Sequence, residues 1–289
     1  MKKTLATFVL LLCSIAANAA STIKIIFPMT PAAQAAIRGL GSDAVLQSWT
    51  ESRAAELTSA FQNSGIALAA ESVGWVPIDT NYSITSSDII LAMNDVQICL
   101  ERDARGADIV VVITNAGGAA GAVIESSIGT SNPAEALAMV EYVPAQSNLS
   151  VAHEVGHLLG SRHQWAVDSS MTPQYYGHGY LSNETNPNGE AGHAVTSCFH
   201  TILAYSQPCS NGETSYRIAN FSNPSVVYHY LGANLWFAPF ATGKRASPHF
   251  ADEASFMGAA GALMANFRNT KIAGIPLAKL IPATQFMLD

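Results

Sequence analysis

The patterned part of the chain opens with a β-branched run, Ile23 to Phe27, and then changes period. Across Ala44–Phe61 the apolar positions Ala44, Leu46, Trp49, Ala54, Leu57, Ala60 and Phe61 recur at near-helical spacing, which predicts an amphipathic helix with Gly65 as its stop. Ala67–Val76 reads as a second strand. Ser87 to about Arg102 reads as a second helix, with Ser86 or Ser87 as its cap. Asp108–Thr114 (DIVVVIT) is the continuous apolar run of a strand buried on both faces. After the glycine-rich Gly117–Gly121 come shorter strands at Ala122–Ser126 and Ala138–Val143, and a helix near Leu149. Everything before residue 160 therefore reads as a mixed α/β layer.

Beyond residue 165 the texture changes. Gly, Pro, Asn, Ser and Tyr accumulate from Met171 to Pro224, and the last clear helical pattern is Ala251–Arg268. No stretch between the halves is long or polar enough to be a linker. One domain over residues 20–289 is expected, with an upper lobe of about 20–163, a lower lobe of about 164–289 and a cleft between them.

Composition narrows the function classes. Hydrophobic residues make up 49% of the chain and charged residues 12%, which suits a packed core rather than disorder. A net charge of −7 with 14 Lys and Arg leaves no basic surplus for phosphates, so no nucleic-acid partner is expected. Residues 1–19 read as a secretory signal peptide: Lys2 and Lys3, an apolar run from Leu5 to Ala16, and the small-x-small site Ala17-Asn18-Ala19. The apolar run is short of the roughly 20 residues that span a bilayer, so a secreted protein without a membrane anchor is expected, as a monomer. Cys198 and Cys209, eleven positions apart around a short apolar turn, are expected to pair in an oxidising compartment. Cys99 is left over, either as a buried free thiol or as a metal-blocking thiolate or intermolecular bridge.

The chemistry is concentrated in His153-Glu154-Val155-Gly156-His157-Leu158-Leu159-Gly160-Ser161-Arg162-His163. Asn148 or Ser150 can cap the helix, and Val151, Val155, Leu158 and Leu159 supply its buried stripe. His153 and His157 stand four apart, so both imidazoles leave one face and can grip one metal ion. Glu154 lies about 100° round the helix, within reach of an activated water but badly placed to be a third ligand. Gly160 can take the positive φ that turns the chain back and brings His163 to the same ion. Three neutral imidazoles with a position left for water form a zinc site of the catalytic kind, at which Glu154 is the general base. One zinc ion is the cofactor called for, with calcium left open. The remaining histidines His178, His193, His200, His229 and His249 have no ligand spacing and read as surface or structural residues.

The long form of this motif resembles the metzincin zinc peptidases, and further segments resemble their bacterial reprolysin-like and peptidyl-Asp metallopeptidase-like members. Those segments are RDARGADIVVVIT from Arg102, HTILAYSQP from His200, FSNP from Phe221, and the late helix with Ala251-Asp252 and Ala265-Asn266-Phe267-Arg268. The resemblance implies a twisted, mostly parallel sheet, a zinc helix beneath a cleft, an irregular C-terminal lobe ending in a helix, and endopeptidase action on protein or peptide substrates. It also makes Tyr205 either an oxyanion-stabilising group or a packing tyrosine. The pocket for the residue after the cut falls to the segment from about Ser206 to Tyr230, where Arg217 is the only permanent cation and predicts a preference for Asp or Glu. Two departures stand out: Leu203 replaces the methionine under the metal as an apolar floor of similar volume, and Gln164 stands where reprolysins carry Asp. The start of the catalytic-type region close to the cleavage site leaves no room for a pro-segment.

Rival readings are weaker. A zinc-bound secreted binding protein or toxin with little proteolysis is motivated by Leu203. Gly117-Gly118-Ala119-Ala120-Gly121 with Glu141 invites a dinucleotide site, but Ala116 occupies the place of the first glycine of the fingerprint. Within the resemblance that stretch leads to an edge strand on which an extended substrate could align. No G-x-S-x-G elbow occurs. The apolar tail Ile272–Leu288 reads as packed on the core or as a docking segment.

Overall fold

In the computed structural model, residues 20–39, 42–182, 198–209, 212–231, 237–245 and 249–268 are described. The signal segment, His193 and the apolar tail lie outside the described residues.

Strand β1 (Ser21–Met29) pairs in parallel with β2 (Leu68–Pro77) on one side and with β3 (Ile109–Thr114) on the other. Next to β3 lies β5 (Leu137–Glu141), again parallel, and the short β4 (Gly121–Ala122) closes the edge antiparallel to β5. The order β2-β1-β3-β5-β4 is the expected mixed, mostly parallel α/β sheet. Alternation along the strands sorts side chains into two cores. Ile25, Phe27, Val111, Ile113, Ala138 and Val140 face one way, with helices α2 (Asp43–Asn63) and α6 (Ser150–Leu158) and the start of α7 (Ala254–Met264) packed on them. Ile26, Val110, Val112 and Met139 face the other way, toward α3 (Ser86–Met93) and α4 (Val96–Arg105). Because β3 is covered on both faces, all six of its residues are buried, which is why it reads as an unbroken apolar run.

Several sequence expectations are corrected. Helix α1 (Pro31–Arg38), capped by Thr30 with Pro31 at its first position, escapes the apolar periodicity because it is only eight residues long. The single helix expected from Ser87 to Arg102 is two helices. Thr85 caps the first, and Asp95 caps the second through its carboxylate and the amides of Gln97 and Ile98, so the cap signal lies inside the run. The strand expected over Ala122–Ser126 ends at Ala122 and passes into a 3₁₀ turn at Glu125–Ser127. The strand expected up to Val143 gives way at Tyr142 to the short α5 (Tyr142–Ser147).

Cys99 is free and half-buried on α4, across the sheet from α6, with its Sγ against the Met93 carbonyl at 3.5 Å. That position removes the metal-blocking reading.

The lower lobe is built from short pieces. Strands β6 (Phe199–His200) and β7 (Tyr216–Arg217) pair in parallel, and β8 (Val227–Leu231) pairs antiparallel with β9 (Phe237–Ala241). A Cys198–Cys209 disulfide, at a Cα separation of 5.6 Å, staples the segment between β6 and β7, as the cysteine spacing predicts. No helix among the described residues is long and apolar enough to cross a membrane.

The contact between lobes depends on one missing side chain. A Cβ on Gly156, in the middle of α6, would lie 2.6 Å from Leu203 Cδ2 and 2.9 Å from Phe221 Cε1, and both side chains are fully buried. Gly156→Ala is therefore expected to lower the unfolding free energy by about 1–3 kcal/mol by overpacking, read from urea unfolding of the disulfide-intact, metal-free protein.

Candidate metal centre and cleft

Helix α6 is buried along its whole length, an uncommon environment for two histidines and a glutamate. Neither Asn148 nor Ser150 caps it. Leu149, at φ 54°, takes the left-handed conformation as the chain enters the helix, with no side-chain cap bond. The carbonyl of Asn148 is used instead as an acceptor for Arg217 Nη1 at 2.6 Å. At the far end Gly160 adopts φ 107°, the predicted reversal, and the chain returns with His163 beside the helix.

The three imidazoles converge. Nε2 of His163 lies 3.2 Å from Nε2 of His153 and 3.1 Å from Nε2 of His157. His153 Nδ1 sits 2.7 Å from the Ile202 carbonyl and His157 Nδ1 sits 2.8 Å from the Ser161 carbonyl, so each Nδ1 carries the ring proton and donates it. The Nε2 lone pairs of these two therefore point inward, toward Nε2 of His163. Burial, reinforced by the neighbouring histidine, holds His163 at about 3, and burial holds His157 at about 4, so both are neutral near pH 7. His153 is held well below the ordinary range by the same burial. This donor set fits a zinc ion and is the one such group among the described residues.

The loop carrying His163 is anchored from below. The His163 carbonyl lies 2.7 Å from His178 Nδ1, the His178 carbonyl accepts from Ser222 Oγ at 2.7 Å, and the Ser222 amide donates to Glu253 Oε2 at 2.6 Å. His178 is thus structural, as expected. Glu253 is fully buried, and that burial pushes its carboxyl up to about 8. Gln164 accepts the Tyr205 amide on Oε1 at 2.9 Å, tying the segment after the third histidine to the turn at Leu203. Leu203 itself is fully buried against Gly156, so it supplies the expected apolar floor.

Glu154 leans toward the sheet edge. A Cβ on Gly121 would lie 2.5 Å from Glu154 Oε1 and 2.8 Å from its Cδ, so the carboxyl occupies space that only glycine leaves free. Burial pushes that carboxyl up to about 8, and Arg217 pulls the other way. Two cavities of about 590 and 310 Å³ flank this point, and Gly121, His153, Glu154 and Tyr205 line both. The result is a groove running past the edge strand β4. Tyr205 is 41% exposed, with its ring 4.3 Å from that of His163. Arg217 lines the larger cavity together with Ser206, Ser215 and His200. Sequence spacing gave no signal for His200, because its nearness to Arg217 comes from strand pairing alone.

The glycine-rich turn is not a phosphate cradle. Glu141 occupies its amides, accepting from Ala116 at 3.2 Å and from Gly117 at 3.1 Å.

Residues 52–164 match the model of the family described as metallo-peptidase family M12B, reprolysin-like. The chain belongs to the reprolysin-like metallopeptidases. Among similar members are the peptidyl-Asp metalloendopeptidases of Stenotrophomonas maltophilia (strain K279a), 30% identical over 217 residues, covering 72% of this chain and 46% of the relative. The corresponding protein of Pseudomonas aeruginosa is 27% identical over 289 residues, covering 95% of this chain and 45% of its own length. The chain thus spans about half the length of the curated relatives it matches. A solved structure described as that of a chaperone-substrate complex shares the fold at a TM-score of 0.56 and 15% identity, over 86% of this chain and 35% of that one. In this reprolysin-like protein the matched segment runs from within α2 to Gln164 and ends one residue after the third histidine.

Two measurements follow. Gly121→Ala is expected to push the Glu154 carboxyl out of place and reduce turnover while leaving zinc stoichiometry at one per chain, checked by metal analysis beside a peptide assay. For Glu253 the folded pKa lies above the unfolded one, so its contribution to stability is present below about pH 4.5 and is lost as pH rises through about 8. Between pH 5 and 9 the parent should therefore lose unfolding free energy relative to Glu253→Gln, by on the order of a few kcal/mol.

Proposed function

We propose that this protein is a secreted zinc endopeptidase that cuts next to an acidic residue. The observation that carries the hydrolytic reading is the convergence of three neutral Nε2 atoms beside a buried glutamate at the floor of an open groove. His153, His157 and His163 would hold the ion, which when bound supplies Lewis acidity toward a peptide carbonyl and acidifies water. Glu154 takes the proton of the attacking water and passes it to the leaving amine. Its elevated proton affinity, set by burial, suits a group that must both accept and return a proton near neutrality. Tyr205, at the mouth of both cavities, can donate its hydroxyl to the oxyanion. The free side of β4 offers backbone groups along which an extended peptide can pair.

Arg217 supports the acidic preference. Its guanidinium is half-buried, donates to the carbonyls of Asn148 and Ala204, and has no carboxylate partner among the described residues. A cation held in a cavity without a direct ion-pair partner favours an anionic guest. The same preference is in the name of the peptidyl-Asp relatives. Export rests on the signal-like residues 1–19.

The test is a peptide library assayed with the zinc-loaded protein, with and without chelator. Glu154→Gln should retain zinc and lose about 10²–10⁴-fold in kcat. Arg217→Met should cut the ratio of Asp to Asn cleavage after the scissile bond. Unchanged turnover in zinc-loaded Glu154→Gln would remove the proposed base.

A further inference from the structure

We propose that His200 is a second reader of the acidic side chain, donating its Nε2–H into the same cavity as Arg217. This rests on the acidic-residue reading above. His200 and Arg217 are direct register partners in the parallel pair β6/β7, so their side chains leave the ribbon on one face, and both line the 590 Å³ cavity. His200 is 4% exposed, so it is a built wall of that cavity and not a surface histidine.

The tautomer follows from its partner. His200 Nδ1 lies 2.9 Å from Ser215 Oγ. Ser215 Oγ already accepts the Gln207 amide at 3.0 Å, and the serine is itself buried, so its hydroxyl proton needs an acceptor. Among the described residues that acceptor is His200 Nδ1. The ring proton then sits on Nε2, which has no acceptor among the described residues. Burial, with Arg217 as second cause, holds His200 at about 4, so it stays a neutral donor through the physiological range. A guanidinium and a neutral N–H side by side present two donors to the two oxygens of one carboxylate. An amide side chain offers a single acceptor oxygen and would leave one donor unpaired, which penalises Asn against Asp. The Cys198–Cys209 bridge and the Ser215 bond fix the ribbon that carries both groups.

The experiment is calorimetric binding of hexapeptides carrying a single Asp, and of their Asn counterparts, to the zinc-loaded full chain bearing Glu154→Gln, so that no turnover intervenes. The parent background should favour the Asp peptide. His200→Asn keeps an acceptor for Ser215 but does not reach the Nε2 position, and it should cut the preference by about 10- to 100-fold. His200→Gln places an N–H near Nε2 and should keep the preference within about threefold. An unchanged preference in His200→Asn, an equal loss of both peptides in both variants, or equal affinity of the parent background for the two peptides would each overturn the inference. Turnover of the same peptides by the zinc-loaded protein with Glu154 intact is the separate gauge of hydrolysis. No cleavage with the binding preference intact would overturn the proposed reaction and leave His200 as assigned.

Discussion

Three imidazole nitrogens converge on one point, and backbone contacts from both lobes hold them there. The Nδ1 protons of His153 and His157 go to backbone carbonyls, those of Ile202 and Ser161, and not to side chains. Orientation of the ligands is therefore written into the path of the main chain. The Ile202 carbonyl comes from the turn beneath the helix, and the Ser161 carbonyl comes from the reversal that Gly160 permits. This is why leucine can stand at position 203. The turn delivers a carbonyl and a buried apolar surface, and neither needs a sulfur atom.

The same economy places the glutamate. Glycine at 121 lets the sheet edge approach α6 closely enough for the Glu154 carboxyl to lie against its backbone, at the spot where the groove passes the helix. Edge strand, Glu154 and the three histidines are thus fixed relative to one another by one close approach. Glu141 performs the complementary task on the preceding turn by satisfying amides that would otherwise seek an anion.

What the sequence revealed and what it hid divide along a physical line. Features set by local periodicity or local spacing were legible: β1, β2, the fully buried β3, helix α2, the His153/His157 face and the Gly160 reversal. The Cys198–Cys209 pairing was also legible, because its loop is short. Features set by tertiary context were not. Leu149 enters α6 in a left-handed conformation that no propensity favours, stabilised by its surroundings and not by a cap. The break at Asn94-Asp95 carried a cap signal that the surrounding helical pattern masked. His200 looked like any isolated histidine, since its meaning arises only when β6 lies beside β7.

The charge distribution of the cleft bears on binding and chemistry together. The chain is acidic overall, at −7, yet the larger cavity contains an arginine whose only described partners are neutral carbonyls. A half-buried cation left in this state carries a desolvation cost that a nearby carboxylate would offset. The carboxylate that lines the same cavity is Glu154, which Arg217 draws toward ionisation. Pairing the two directly would occupy the glutamate with the arginine and take it away from water. The structure shows no such ion pair among the described residues; Arg217 donates instead to the carbonyls of Asn148 and Ala204. A guest carboxylate entering between them would satisfy the arginine and leave the glutamate free. On that physical ground the two proposed roles are compatible: Arg217 can receive a guest carboxylate without drawing Glu154 away from water.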